Sequence, residues 1–363
     1  MAFYTPCNSL EKLYHENFSM IKSIYKSFQR GKMSNIKILD CTLRDGGYVN
    51  NWDFGLNNIQ TIVENLSMAK IDYIEYGYLN TICSNKDKSF FSSFNLWDNI
   101  CKTQSLLGLM VNFGEYPITN IPDCKNPKTF IRVAFKKEDL DGALEYCEKL
   151  KQKGYELFIN PMHTASYSES ELKKMINIVN HISPKAFSIV DTNGSMTEQE
   201  ALSLFNFIDK ILSSEIAICF HSHNNLQLSF GNAQCLIKAC KNRELIIDST
   251  LFGIGRGAGN IHTEDLANYL NENNNTNYCI IPILKTVNEI IYPIFNSNPW
   301  GHSIAYYLAA INNCHPNYAR FFIQNNLPEN LADQFFLSIP EDKKLKYDEK
   351  FITQIKNSFL IAK

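Results

Sequence analysis

The chain of 363 residues is 45% hydrophobic and 12% aromatic, enough apolar material for one large core or two modest ones. Its 35 basic and 37 acidic residues are interspersed and give a formal charge of -2, which offers no electrostatic footprint for nucleic acid or an anionic membrane and points to a small-molecule ligand. The 11 cysteines are odd in number and never spaced C-x-x-C, so reduced thiols are expected, not a disulfide frame or a structural zinc site.

No apolar run approaches the roughly 18 residues that a membrane helix requires, and the first residues lack the order of a secretory signal, so a cytoplasmic location is expected. Residues 1–33 carry Leu10, Tyr14, Phe18, Ile21, Tyr25 and Phe28 at steps of three and four. That spacing predicts an amphipathic N-terminal helix packed on the main domain or on a neighbouring subunit.

From residue 36 short apolar runs alternate with stretches of helical period. The predicted strands are IKILDC (36–41), DYIEYG (72–77), LLGLMVN (106–112), TFIRVAF (129–135), YELFIN (155–160), AFSIVD (186–191), IAICFH (216–221) and LIIDST (245–250). Near-continuous apolar strands belong to a parallel sheet covered on both faces, and eight strand-helix units over residues 34–272 match a (β/α)8 TIM barrel. A doubly wound open sheet is the rival. The asparagine-rich NENNNTN after Leu270 reads as a linker, and residues 278–363 as a small helical C-terminal extension.

Ionisable residues gather where the strands end. Arg44 and Asp45 follow the first strand, Glu75 closes the second, Asn160 and His163 follow the fifth, and Asp191 ends the sixth. His221 and His223 close the seventh, and residues i and i+2 of a strand face the same way, so both imidazoles can meet at one point. With Asp45 brought near by barrel closure they suit a divalent ion of the Mn, Fe, Co or Zn kind, and Mg less comfortably. In DSTLFGIGRGAGN (248–260), glycines at 253, 255, 257 and 259 let the backbone approach a ligand, and Asn260 could offer its amide oxygen to the metal or a substrate. A tight turn capped at Asn260 would leave Arg256 unexplained.

Together LDCTLRDGG, IEYG, VDTNG, HSHNN and GIGRGAGN resemble the DRE-TIM metallolyase superfamily, also called HMG-CoA lyase-like, over about residues 36–270. The nearest members are of the 4-hydroxy-2-oxovalerate aldolase type. The resemblance implies that Asp45, His221 and His223 hold a divalent ion, manganese first with magnesium, cobalt and zinc behind it, and that Asn260 is a further ligand. It implies that Arg44 stabilises an enolate oxygen and that Glu75 and Thr192 line the pocket. Asp191, His163, Gly255 and Gly257 are expected to meet substrate. Two branches of the family carry a glutamine after R-D-G or a histidine where Tyr48 stands here, and neither residue is present. Tyr48 is by its position the first choice of general base, with a metal-bound hydroxide second and His163, His302 and His315 behind it.

The expected activity is reversible cleavage of a 4-hydroxy-2-oxo acid to pyruvate, or a related 2-oxo acid, and an aldehyde. The alternatives are a Claisen-type acyl-CoA synthase, and a barrel without catalysis that partners an aldehyde dehydrogenase. The assembly expected is a homodimer or a complex with such a dehydrogenase. Tyr76, Tyr78 and Phe113 are expected to shape the aldehyde pocket.

Overall fold

The computed structural model describes residues 35–81, 85, 87–92, 103–126 and 128–360; the helix expected over residues 1–33 lies outside them. All eight predicted strands are present: β1 (Ile36–Asp40), β2 (Tyr73–Leu79), β4 (Leu106–Asn112), β5 (Thr129–Phe135), β6 (Glu156–Pro161), β7 (Ala186–Asp191), β8 (Ala217–Ser222) and β9 (Leu245–Ser249). Each pairs in parallel with the next, and β1 pairs with both β2 and β9, which closes the sheet. Closure excludes the open-sheet rival and makes the fold a (β/α)8 barrel. A two-residue strand, β3 (Phe90–Phe91), adds in parallel to the end of β2. It was not expected, because two residues are too few to show a period.

Helices cover the barrel where their stripes predict. Two of them, Glu169–Ile182 and Glu198–Ile211, begin with complete capping boxes, Ser168 with Glu171 and Thr197 with Glu200. Their apolar faces and the outward strand residues, such as Ile38, Ile131 and Ile189, form one continuous outer core. The inward strand residues form a second, inner set: Leu39, Tyr73, Phe130, Phe158, Ala186, Ala217 and Ile246. Period-two alternation then fixes what comes next along each strand. Two residues beyond Tyr73, Phe130 and Ile246 stand Glu75, Arg132 and Asp248, so three charges follow the apolar floor of the barrel toward its C-terminal rim.

The asparagine stretch begins as the last residues of the helix Thr263–Asn273 and is not an open linker. Asn271 accepts from the Tyr278 backbone N–H (2.9 Å) and the Thr276 hydroxyl (2.8 Å) and donates to the Tyr278 carbonyl (2.8 Å). Tyr278, Ile283, Ile290 and Ile291 then join the outer core of the barrel. A separate apolar cluster begins later, from Ala305 to Ile352, around Tyr318, Phe335 and Phe336. Its helix Pro316–Gln324 has Pro316 in the first turn, where a missing N–H costs nothing.

Candidate active site

The chain leaves β1 through two four-residue helices, Thr42–Asp45 and Gly47–Asn50. Asp40 starts the first by accepting from the Thr42 N–H at 2.9 Å. The glycines that follow Asp45 do not serve the turn as their pairing suggests, since Gly46 has ordinary helical angles. They serve space: a Cβ on Gly47 would fall on the Trp52 indole, whose Nε1 donates to the Arg44 carbonyl at 2.7 Å. The Ser89 hydroxyl donates to the Leu43 carbonyl at 2.6 Å. Arg44 and Asp45 are thus presented by a backbone pinned on both sides.

Both side chains are buried, and so are their partners, in a chain of alternating charge. Asp45 Oδ1 accepts from Arg44 Nη1 at 2.6 Å, and Arg44 Nε donates to Glu75 Oε2 at 2.7 Å. The other Glu75 oxygen lies 3.3 Å from Arg132 Nε. Arg132, with no exposed surface, grips Asp248 with both terminal nitrogens. Asp248 Oδ2 lies 2.9 Å from His221 Nδ1. Burial works against the Asp248 charge, but Arg132 and His221 overrule it and hold the carboxyl well below the usual range. Sequence reading missed Arg132 and Asp248. The signal was a lone charge inside each apolar run, TFIRVAF and LIIDST, at inward positions.

Asp45, His221 and His223 each offer a ligand atom, these atoms lie within 4.8 Å of one another, and all three residues are buried. Burial raises the Asp45 carboxyl, yet its cationic surroundings, with the Arg44 and Arg256 guanidinium groups among them, bring it well below the usual range, so it is ionised. Burial also holds His223 neutral against the pull of Asp45, the form that binds metal. Asn260 donates Nδ2 to Asp45 Oδ2 at 2.6 Å and leaves Oδ1 buried with no hydrogen-bond partner. Two imidazoles, a carboxylate and an amide oxygen fit a divalent cation with nitrogen and oxygen preference. Cys41, His221 and Asp248 form a second such group, but Arg132 occupies both Asp248 oxygens, and burial pushes the Cys41 thiol well above its ordinary range. The first group is therefore the candidate metal centre.

Among the remaining expected site residues, Tyr48 stands at the mouth, its hydroxyl 3.2 Å from that of Tyr78, and the Arg256 guanidinium lies 5.5 Å over its ring. Tyr76 and Phe113 do not line the site; they pack outward, against Phe91 and Tyr146. Thr192 accepts the His163 backbone N–H on Oγ1 at 2.9 Å. His163 sits in left-handed backbone, φ 51°, and burial lowers it to about 4. Its ring is 6.3 Å from that of His315, a residue that burial holds neutral. Asp191 is committed to its own turn, accepting from the N–H groups of Ser195 and Met196 and the Ser222 hydroxyl, each within 3.1 Å. Burial raises it to about 6. His302 is exposed.

The glycine loop works mainly on the protein itself. The Arg256 N–H reaches Asp45 Oδ2 (3.3 Å), and the Ala258 N–H reaches Asn225 Oδ1 (2.7 Å). A Cβ on Gly255 would collide with the Asn260 amide and the Asp45 carboxylate, so this glycine is the space in which those two meet. Arg256 turns back over the centre, its Nη2 3.3 Å from His223 Nε2 and 3.4 Å from the Thr192 carbonyl.

Fold and site together define a closed parallel barrel with a candidate divalent-metal centre on its C-terminal rim. Residues 131–288 match the HMGL-like family. A 4-hydroxy-2-oxovalerate aldolase from Geobacillus genomosp. 3 is 26% identical over 271 residues, 72% of this chain and 78% of that one. An oxaloacetate decarboxylase from Mycobacterium tuberculosis is 24% identical over 238 residues, 63% and 68% of the two chains. Among solved structures, the N-terminal domain of a Bacteroides vulgatus protein that carries an aldolase name superposes with a TM-score of 0.67 at 27% identity, covering 79% of this chain and 96% of that domain. Residues 131–288 thus carry an HMGL-like domain, and the relatives that match the chain bear the names of an aldolase and a decarboxylase, a likeness consistent with a carbon–carbon lyase. No helix among the described residues is long and apolar enough to cross a membrane.

Proposed function

We propose that this chain is a divalent-metal-dependent aldolase that reversibly cleaves a 4-hydroxy-2-oxo acid into pyruvate, or a related 2-oxo acid, and an aldehyde. The observation that carries the reading is Arg44 Nη2, a buried guanidinium nitrogen without a hydrogen-bond partner, beside the candidate metal centre. The other two nitrogens of that guanidinium are held by Glu75 and Asp45. Such a group is oriented in advance and has one donor to give to an oxygen that gains charge.

Asp45, His221 and His223, with Asn260, would hold the cation, which supplies Lewis acidity toward the substrate's oxygens when bound. Glu75 fixes the plane of the Arg44 guanidinium, and the Asp248 carboxylate, 2.9 Å from His221 Nδ1, backs the His221 ring. In cleavage Tyr48, acting as the phenolate, takes the proton of the 4-hydroxyl as the bond between C3 and C4 breaks and the electron pair passes to the enolate oxygen, to which Arg44 donates. In condensation the same proton returns to the aldehyde oxygen as the bond forms. Thr192 and His163 sit together, joined at 2.9 Å, and Gly255 and Gly257 share a cavity wall with Tyr48.

The test is exchange of the pyruvate methyl protons in D2O, with Mn2+ or Mg2+ and after chelation. Metal-dependent exchange without a second substrate supports the aldolase, a requirement for acyl-CoA points to a Claisen synthase, and absence of exchange under all conditions sinks the catalytic reading. Arg44→Lys keeps the charge beside Glu75 and loses the fork, so it should retain Mn2+ while exchange falls by about 100-fold, the scale of one lost oxyanion donor.

A further inference from the structure

Beyond Tyr48 the rim opens into a cavity of about 520 Å3, walled on one side by Tyr48, Gly255 and Arg256 and on the other by the C-terminal segments that carry Trp300, His302 and Arg320. It exceeds by far what a two-carbon aldehyde would fill, and it lies in the usual size range of sites for whole metabolites. Its lining contains two arginines and a histidine and no carboxylate. Arg320, on the helix Pro316–Gln324, has no carboxylate partner among the described residues, although aspartate and glutamate abound on this chain. The Arg256 Nε is buried with no hydrogen-bond partner. Cationic groups spared of acids on two facing walls form a receptor for an anion. The lining also carries amides and hydroxyls, among them Asn298, Asn317 and Gln324, beside the apolar Val49, Trp300 and Ile323, and these polar groups suit the hydroxyls of a short polyol.

Resting on the aldolase reading above, we infer that the aldehyde partner is a phosphorylated hydroxyaldehyde, its carbonyl toward Tyr48 and its phosphate between Arg256 and Arg320. Arginine matches a phosphate dianion with parallel N–H donors, and two guanidinium groups offset both of its charges. Arg256 then has two neighbours to serve: one edge of the guanidinium rests on His223 and Thr192, and its Nε is left for the incoming anion. The C-terminal helices thereby decide which aldehyde enters, while the barrel decides what is done to it.

The test joins a binding measurement to a comparison of substrates. Calorimetric titration of inorganic phosphate into the full chain should give saturable binding that weakens about tenfold or more in Arg320→Ala, the cost of one lost charged donor, and returns in part in Arg320→Lys. Arg320 is exposed, so the variants should keep the wild-type melting temperature. With pyruvate and Mn2+, D-glyceraldehyde 3-phosphate should show at least a tenfold lower KM than D-glyceraldehyde, and Arg320→Ala should erase the difference. Phosphate binding that ignores Arg320, or a wild type that exchanges the pyruvate methyl yet treats the two aldehydes alike, overturns the inference and spares the aldolase. Phosphate held through Arg320 by a protein that never exchanges the methyl protons supports the anion site and overturns the aldolase.

Discussion

The substitution that probes the buried charge chain most directly is Asp248→Asn. Asp248 Oδ1 accepts from Arg132 Nη2 (3.0 Å) and the Cys219 thiol (3.0 Å), while Oδ2 accepts from Arg132 Nη1 and lies 2.9 Å from His221 Nδ1. Asparagine keeps one acceptor and introduces an NH2. Whichever way the amide turns, that NH2 faces a guanidinium nitrogen of Arg132, which has only donors. Arg132 has no exposed surface, and its remaining acid is Glu75 at 3.3 Å. Unpairing one end of a buried ion pair costs about 3 to 5 kcal/mol, and the metal-free variant should lose that much in urea denaturation. His221 also loses the carboxylate that orients it, so Mn2+ affinity should fall about 10- to 100-fold, the usual penalty for removing such a partner. Adding Arg132→Met removes the stranded cation and should recover part of the stability but none of the affinity. A wild-type Mn2+ titration in Asp248→Asn would refute the claim that Asp248 positions His221.

Gly255→Ala places a methyl group where the Asn260 amide and the Asp45 carboxylate touch, so Mn2+ binding should drop sharply and the metal-free protein should lose about 1 to 3 kcal/mol, the usual cost of overpacking a buried site; undiminished binding would remove Gly255 from the account. His163 is lowered from 6.5 to about 4, by burial first and Arg256 second, so the unfolded chain takes up its proton before the folded one as pH falls. Stability linked to the neutral ring is complete above pH 6.5 and is lost as pH drops through 6.5 toward 4. His163→Asn, suited to the left-handed backbone, should flatten the urea midpoint between those values, and an unchanged slope would show that the ring is not held neutral.

The barrel was readable because parallel strands buried on both faces leave apolar runs that need no partner to be recognised, and β4, β5 and β7 begin and end where the runs do. The candidate metal group was readable because two of its members, His221 and His223, stand two residues apart at the end of one strand, and the third follows the strand that closure brings near. Arg132 and Asp248 were passed over for a different reason. They are 116 residues apart and each looks, alone, like a misplaced charge in a core strand. Only their placement across the interior of the closed barrel shows that each is the other's counter-ion. The asparagine tract misled through composition, since a run of polar residues carries no sign that one of them, Asn271, grips Tyr278 at both backbone groups.

The adjacency of Arg44 and Asp45 is explained by the placement of charge. Three carboxylates, of Asp45, Glu75 and Asp248, meet two guanidinium groups, of Arg44 and Arg132, and this alternation of sign is what allows so many charges to be buried. A divalent cation beside Asp45 adds two positive charges at the same place. Bond cleavage then moves a negative charge from the base at the mouth onto the enolate oxygen, toward that cation and the unpaired Arg44 Nη2. Negative charge is therefore closer to the buried cations in the product of bond cleavage than in the bound substrate, and a site so arranged favours the transition state over the ground state.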